Sequence, residues 1–256
     1  MIEIDLNISS EIVRPLFDES VIDSPRLFSA LKRQHKAAAL VDSDNNPRWC
    51  VIRSSWFGCT YIGGEINREE LETAILKLRE KGEILLSLSD YCASIYPSDY
   101  TKIERRIAFY NRQPNDPAFD KLITAVPSNL RVERITRNTF ERCLWRNRLV
   151  SIYGTTENYL EHSIGYLLLD GNRILSEAHA FFWGDTMVEI GVITADGYRS
   201  SGYASIVSAH LVRACEERDY STYWGCSADH PASIAVARKI GYRIEREYSN
   251  AYYPAI

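Results

Sequence analysis

The chain has 256 residues, 45 % of them hydrophobic and 25 % charged, with a formal net charge of −4. These are ordinary globular values that exclude a disordered or fibrous chain, and the acidic balance gives no general attraction to nucleic acid or anionic lipid. No apolar run approaches the roughly 20 residues that span a bilayer, and the N-terminal MIEIDLNISSEIV is acidic where a signal peptide is basic, so a cytoplasmic protein without membrane partners is expected.

The first half opens a helix at Ser24-Pro25, with Leu27, Phe28 and Leu31 inward. AAALVD and WCVIRSSWFGCTYI read as two strands of a hairpin joined by the turn-prone Ser43-Asp44-Asn45-Asn46-Pro47. Asn67 and Glu70 make a capping-box pair before a helical stripe of Leu71, Ala74, Ile75 and Leu78, which Gly82 stops. EILLSLSD reads as a strand, and Asp99 to Tyr110 as a helix with Ile103 and Ile107 inward. The polar, proline-bearing Asn111 to Pro117 sets the expected division: an N-terminal α/β domain over 1–120, whose role nothing in its residues indicates, and a second domain over 121–256.

The second half reads as strand Arg131–Ile135, helices over Thr139–Tyr153 and Thr156–Leu160, and strand Gly165–Leu169. Turns at Gly171-Asn172 and Gly184-Asp185 lead to strands Ile174–Trp183 and Met187–Thr194. A helix follows from Ala204, then strand Tyr220–Cys226, helix Pro231–Ile240 and strand Tyr242–Tyr253. The expected class is α/β, a mixed sheet with helices on both faces.

Between strand Met187–Thr194 and the helix that follows lies Arg199-Ser200-Ser201-Gly202-Tyr203-Ala204. The first amides of a helix have no internal partners and carry the positive end of its dipole, so this turn suits a phosphate, and Gly202 lets the backbone come close to it. The six cysteines, Cys50, Cys59, Cys92, Cys143, Cys215 and Cys226, form no CxxC pair, and His162, His179 and His210 show no HxH or HExxH spacing, so reduced thiols and no metal are expected. Trp183, Tyr223, Trp224 and Tyr248 are weighted toward core rather than an acceptor pocket.

RxxGxA after a strand ending in EIGVIT resembles motif A of the GCN5-related N-acetyltransferases. Tyr223 to Tyr242, YWGCSADHPASIAVARKIGY, is similar to that family's second cofactor segment. VRPLFD, SEA and YRSSGYA look like a bacterial two-domain branch, in which an N-terminal α/β domain precedes the acetyltransferase fold. The resemblance implies that acyl-CoA lies along the strand against the backbone of Gly191, Val192, Ile193 and Thr194. Its pyrophosphate would take the amides of Ser200, Ser201, Gly202, Tyr203 and Ala204 beside Arg199, and Ser233 of the second segment would also touch the cofactor.

Amide formation from a thioester needs a neutral amine, a stabilised oxyanion and a proton for the departing thiolate. Glu189 stands where members of the family often place the carboxylate that takes the amine proton, and Glu177, also on an apolar strand, is its rival. Val192 N–H is the implied oxyanion donor. The family often places an Asn and, seven residues on, a Tyr acid; here those positions hold His230 and Ala237. Thiolate protonation is left to Cys226, His230, Ser233, Tyr248 or water, with His230 weighted toward capping the helix that Pro231 begins.

The expected function is transfer of an acetyl group from acetyl-CoA to a primary amine of a small molecule by direct attack. The alternatives are a non-catalytic acyl-CoA sensor, and an acyltransferase fed by a carrier-protein or aminoacyl-tRNA donor, the one version with a nucleic-acid partner. The acceptor's identity and the oligomeric state are left open by the sequence.

Overall fold

The computed structural model describes residues 1–18, 23–88, 95–110, 112 and 116–256. Most of the expected Asn111–Pro117 boundary, and the last two residues of EILLSLSD, lie outside the described residues. Two compact units emerge: Met1–Arg106 with Glu247–Ile256, and Ile107–Arg246. These limits differ from a division at residue 120 because the last strand returns to the first unit.

The first unit contains β1 (Ile2–Ile4), α1 (Leu6–Val13), a 3-10 turn (Arg14–Leu16), α2 (Ser24–Leu31), β2 (Ala37–Val41), β3 (Trp49–Ser54), β4 (Cys59–Gly64), α3 (Arg68–Arg79) and β5 (Ile84–Leu88). β1 to β4 pair antiparallel in sequence order, and α3 carries the chain to β5, which pairs parallel to β4. Strand alternation divides the apolar residues between two cores. Ala39, Val41, Cys50 and Ile52 meet Leu27, Phe28 and Leu31, while Leu40, Trp49 and Val51 meet Leu71, Ala74, Ile75 and Leu78. The capping box is as read: Asn67 Oδ1 accepts from Glu70 N (2.9 Å) and Glu70 Oε2 from Asn67 N (3.0 Å).

Three readings in this half change. WCVIRSSWFGCTYI is two strands rather than one, because Phe57 (φ 50°) and Gly58 (φ 63°) take left-handed conformations and turn the chain back. The cap of α2 falls on Asp23 instead of Ser24, and the Asp23 side chain makes no capping bond to the helix. The expected helix over Asp99–Tyr110 is a strand, β6 (Lys102–Tyr110). An i, i+4 spacing such as Ile103/Ile107 is even and so satisfies strand alternation as well as a helix; Phe109 continues the buried face, whereas Ile103 is 44 % exposed.

The second unit, entered within β6, holds α4 (Pro117–Thr124), β7 (Arg131–Arg134), α5 (Arg137–Phe140), α6 (Arg146–Tyr153), α7 (Thr156–His162), β8 (Gly165–Asp170), β9 (Arg173–Trp183), β10 (Met187–Thr194), α8 (Tyr203–Glu216), β11 (Ser221–Ser227) and α9 (Pro231–Ile240). β12 (Arg243–Tyr253) then leads back to the first unit, where it pairs antiparallel to β5. β7 to β10 are antiparallel neighbours, and β11 joins β10 in parallel after the α8 crossover. The class expected from the sequence, a mixed sheet with helices, is what forms. α8 packs Val207, Leu211 and Ala214 onto Leu168, Ala178, Ala180, Val188 and Ile190. Asp116 caps α4, a helix the sequence reading left out, through a bond from Ala118 N (2.9 Å). The helix expected over Thr139–Tyr153 is interrupted at Glu141–Trp145, for a reason that belongs to the site. Among the described residues no helix is long and apolar enough to cross a membrane.

Candidate functional site

The site is built where β10 parts from β11. Among the described residues the parallel ladder runs from Met187↔Ser221 to Glu189↔Tyr223, and beyond it Ile190 to Thr194 pair with β9 alone. A register shift between Glu189 and Ile190 marks the parting. Ala195 N donates to Leu175 O (2.9 Å), so in this antiparallel ladder Ile193 and Gly191 also turn their main-chain groups to β9. Val192 and Thr194, in the opposite phase, turn theirs to the edge that β11 has left.

Of the four residues expected to line the cofactor, Val192 and Thr194 thus present main-chain groups to that edge, while those of Gly191 and Ile193 face β9. Gly191 matters for space instead, because a Cβ there would lie 1.9 Å from Phe181 Cε2.

Past Thr194 the chain makes the expected turn. Ser200 (φ 63°) and Gly202 (φ 80°) are left-handed, and α8 begins at Tyr203 with Gly202 as N-cap and no side-chain cap. The amides of Arg199, Ser200, Ser201, Gly202, Tyr203 and Ala204 find no backbone acceptor among the described residues; the first bonds of the helix start from Ser205 and Ile206. Arg199 pairs with Asp196 at 2.7 Å, but both side chains are mostly exposed (69 % and 89 %), so the pair is weak and the guanidinium remains within reach of a ligand. Lys239 Nζ lies 3.6 Å from where a Cβ on Gly202 would sit, which puts a second cation beside the turn. Lys239 was not read from the sequence, since a lysine in the last turn of α9 already has a bland explanation in complementing that helix dipole.

The two carboxylates differ sharply. Glu189 is the last residue of β10 paired to β11 and is 8 % exposed, which places it at the parting itself. Glu177 is fully buried, and each of its oxygens accepts a backbone N–H: Leu144 N to Oε2 and Trp145 N to Oε1, both at 2.7 Å. These bonds take the amides out of a helical ladder, which is why the expected Thr139–Tyr153 helix breaks there. The loop sets Trp145 against Phe181, with ring centroids 5.2 Å apart.

His179 Nε2 lies 3.1 Å from Glu177 Oε1, and its Nδ1 meets Tyr159 Oη at 2.8 Å. Among the described residues, Cys143, Glu177 and His179 hold ligand-type atoms within 4.8 Å of one another, the donor types of a zinc site. Here the carboxylate is already engaged by two amides, and burial, then the neighbouring Glu177 charge, pushes the Cys143 thiol well above its ordinary range. Burial likewise holds the Tyr159 phenol protonated.

The second segment is arranged more modestly. His230 is the N-cap of α9, its Nδ1 accepting from Ser233 N at 3.3 Å, and Ser233 Oγ accepts from Trp224 Nε1 at 3.0 Å. Ala237 is buried in the core. Cys226 is buried as well, and Tyr248, in the first unit, has its hydroxyl between Arg106 Nε (3.1 Å) and Asp23 Oδ1 (3.2 Å). The five described cysteines are buried outside any disulfide.

Comparison with known proteins gives matches over nearly the whole chain. A family model described as GNAT acetyltransferase matches residues 14–252. The chain is 24 % identical over 251 residues to the uncharacterized N-acetyltransferase YdfB of Bacillus subtilis (strain 168), covering 94 % of each chain. It is similar in fold to a GCN5-related N-acetyltransferase-like protein from Streptococcus suis 89/1591, at a TM-score of 0.70 and 23 % identity over 98 % of this chain and 100 % of that one. A tandem GNAT protein from the clavulanic acid biosynthesis pathway matches at a TM-score of 0.63 and 7 % identity, over 98 % of this chain and 94 % of that one.

Proposed function

Because the chain belongs to the GNAT acetyltransferase family and is therefore an acyltransferase, we propose that it moves the acetyl group of acetyl-CoA to a primary amine of a small molecule. The observation that carries this reading is the continuity of two features: the edge of β10 that opens at Ile190, and the turn at residues 199–204 whose amides have no backbone acceptor among the described residues. The pantetheine runs along that edge as an added strand, bonding to Val192 and Thr194. The pyrophosphate takes the amides of Ser200 to Ala204, with Arg199 and Lys239 supplying positive charge.

The neutral amine attacks the thioester carbon, forming the C–N bond while the carbonyl oxygen becomes an oxyanion that accepts from Val192 N–H. Glu189 takes the amine proton, directly or through a water, and the C–S bond breaks to release the CoA thiolate. A thiol pKa of about 8.5 lets that thiolate leave without a dedicated acid, consistent with an Ala at position 237. Glu177 serves in this reading by fixing the Leu144–Trp145 loop rather than by moving a proton. The five described cysteines, buried outside any disulfide, support a reducing compartment such as the cytoplasm.

Lys239→Ala is expected to weaken acetyl-CoA binding about fivefold, roughly 1 kcal/mol for an exposed charge contact, with a difference that shrinks as salt is added. Donor KM measured at two ionic strengths checks it. The reading as a whole is tested by following thiol release from acetyl-CoA with a panel of small primary amines. Amine-dependent release supports it. A chain whose thermal midpoint is unmoved by saturating CoA or acetyl-CoA contradicts it, since a ligand at about 100 times its Kd adds roughly 2.7 kcal/mol.

A further inference from the structure

From β1 to β5 the first unit repeats the order and pairing of β7 to β11 in the second. In each, a short strand is paired antiparallel to the first of three antiparallel strands, with helices inserted between them: β1 then β2-β3-β4, and β7 then β8-β9-β10. In each, the third strand gives way to a helix, α3 or α8, that crosses to a parallel partner, β5 or β11. The parallel ladder is short in both: Cys59↔Leu85 and Thr60↔Leu86 in the first unit, Met187↔Ser221 to Glu189↔Tyr223 in the second.

The correspondence extends to single residues. Thr60-Tyr61-Ile62-Gly63 matches Val188-Glu189-Ile190-Gly191. Glu65 N donates to Arg48 O (2.9 Å), so Tyr61 and Gly63 turn their main-chain groups to β3, as Gly191 does to β9. Ile62 and Gly64 then face outward in the same phase as Ile190 and Val192.

What differs is the turn that would hold the phosphates and the residues around the strand edge. The eight residues 195–202 between β10 and α8 are reduced to residues 65–67 between β4 and α3. In place of a turn with unoccupied amides stands a closed capping box, and the first turn of α3 carries Glu69 and Glu70, whose charges repel a phosphate. The position of Glu189 is taken by Tyr61, 3 % exposed. The face above Gly63 is covered by Phe17 and the Leu16 carbonyl, 2.6 and 2.8 Å from a Cβ placed there.

We infer that Met1–Arg106 is a second copy of the acyltransferase topology that has lost its donor site, so that each chain holds one acyl-CoA, in the second unit. The positive half of this statement rests on the donor reading above; the silence of the first unit does not. Calorimetric titration of the full chain with acetyl-CoA separates the two. A stoichiometry of one, abolished by Ser201→Asp at the exposed turn of the second unit and unchanged by Asn67→Ala, is the expected result. No binding at all would remove the donor reading and leave the first unit silent as inferred. A stoichiometry of two, or saturable binding that survives Ser201→Asp, would overturn the inference.

Discussion

Glu189→Gln is expected to lower kcat for acetyl transfer by about 100- to 1,000-fold, within the usual range for loss of a general base. The substitution keeps the shape and a hydrogen-bonding oxygen while removing the capacity to take a proton. Glu189 sits where β10 and β11 part, so the loss should fall on kcat, with the KM for acetyl-CoA changing less than about threefold. Attack requires the neutral amine, so in wild type and variant alike kcat/KM should rise with pH as the amine deprotonates. Steady-state thiol release across pH with one accepted amine measures both parameters. Turnover within threefold of wild type would take the base role away from Glu189.

Glu177→Ala is expected to cost stability first, by about 3 to 5 kcal/mol. The carboxylate is fully buried, and its removal leaves the amides of Leu144 and Trp145 without their acceptor. Glu177→Gln retains one carbonyl oxygen for one of the two amides and turns an NH2 toward the other, so about 2 kcal/mol is expected. Urea unfolding in the presence of a chelator reads these differences from hydrogen bonding alone. Turnover per folded molecule of Glu177→Gln should stay within about fivefold of wild type. Full stability combined with lost turnover would instead make Glu177 the base.

Much of the local structure, including the strand and turn of the candidate site, was legible in the sequence because it depends on local rules. Strand Met187–Thr194, helix Pro231–Ile240, the capping box of α3 and the small-residue turn at 199–204 each follow from a periodicity or from backbone conformation. The second-unit strands came through because their turns carry glycine. What failed were patterns that two structures share. Ile103 and Ile107 fit either period, and an apolar run that hides a Phe57-Gly58 turn looks like one strand. The different surroundings of the two glutamates could not be read at all. Both lie on apolar strands, and only the amides of Leu144 and Trp145, more than thirty residues away in sequence, show that Glu177 is engaged. Lys239 and the open phase of Val192 likewise depend on how separate elements meet. The repeat within the chain was hidden because it lives in strand order and register, while the loop that would have announced it, residues 65–67, is the part that changed.

The central claim is that acetyl-CoA lies on the open edge of β10 with its phosphates on the turn before α8. Amide hydrogen exchange resolved by residue, with and without saturating acetyl-CoA, tests this most directly. Slowed exchange is expected at Val192 and Thr194 and at Ser200 to Ala204, with little change at Gly191 and Ile193, which already bond to β9. Saturable binding that leaves those amides unprotected, with protection appearing elsewhere in the chain, would contradict it.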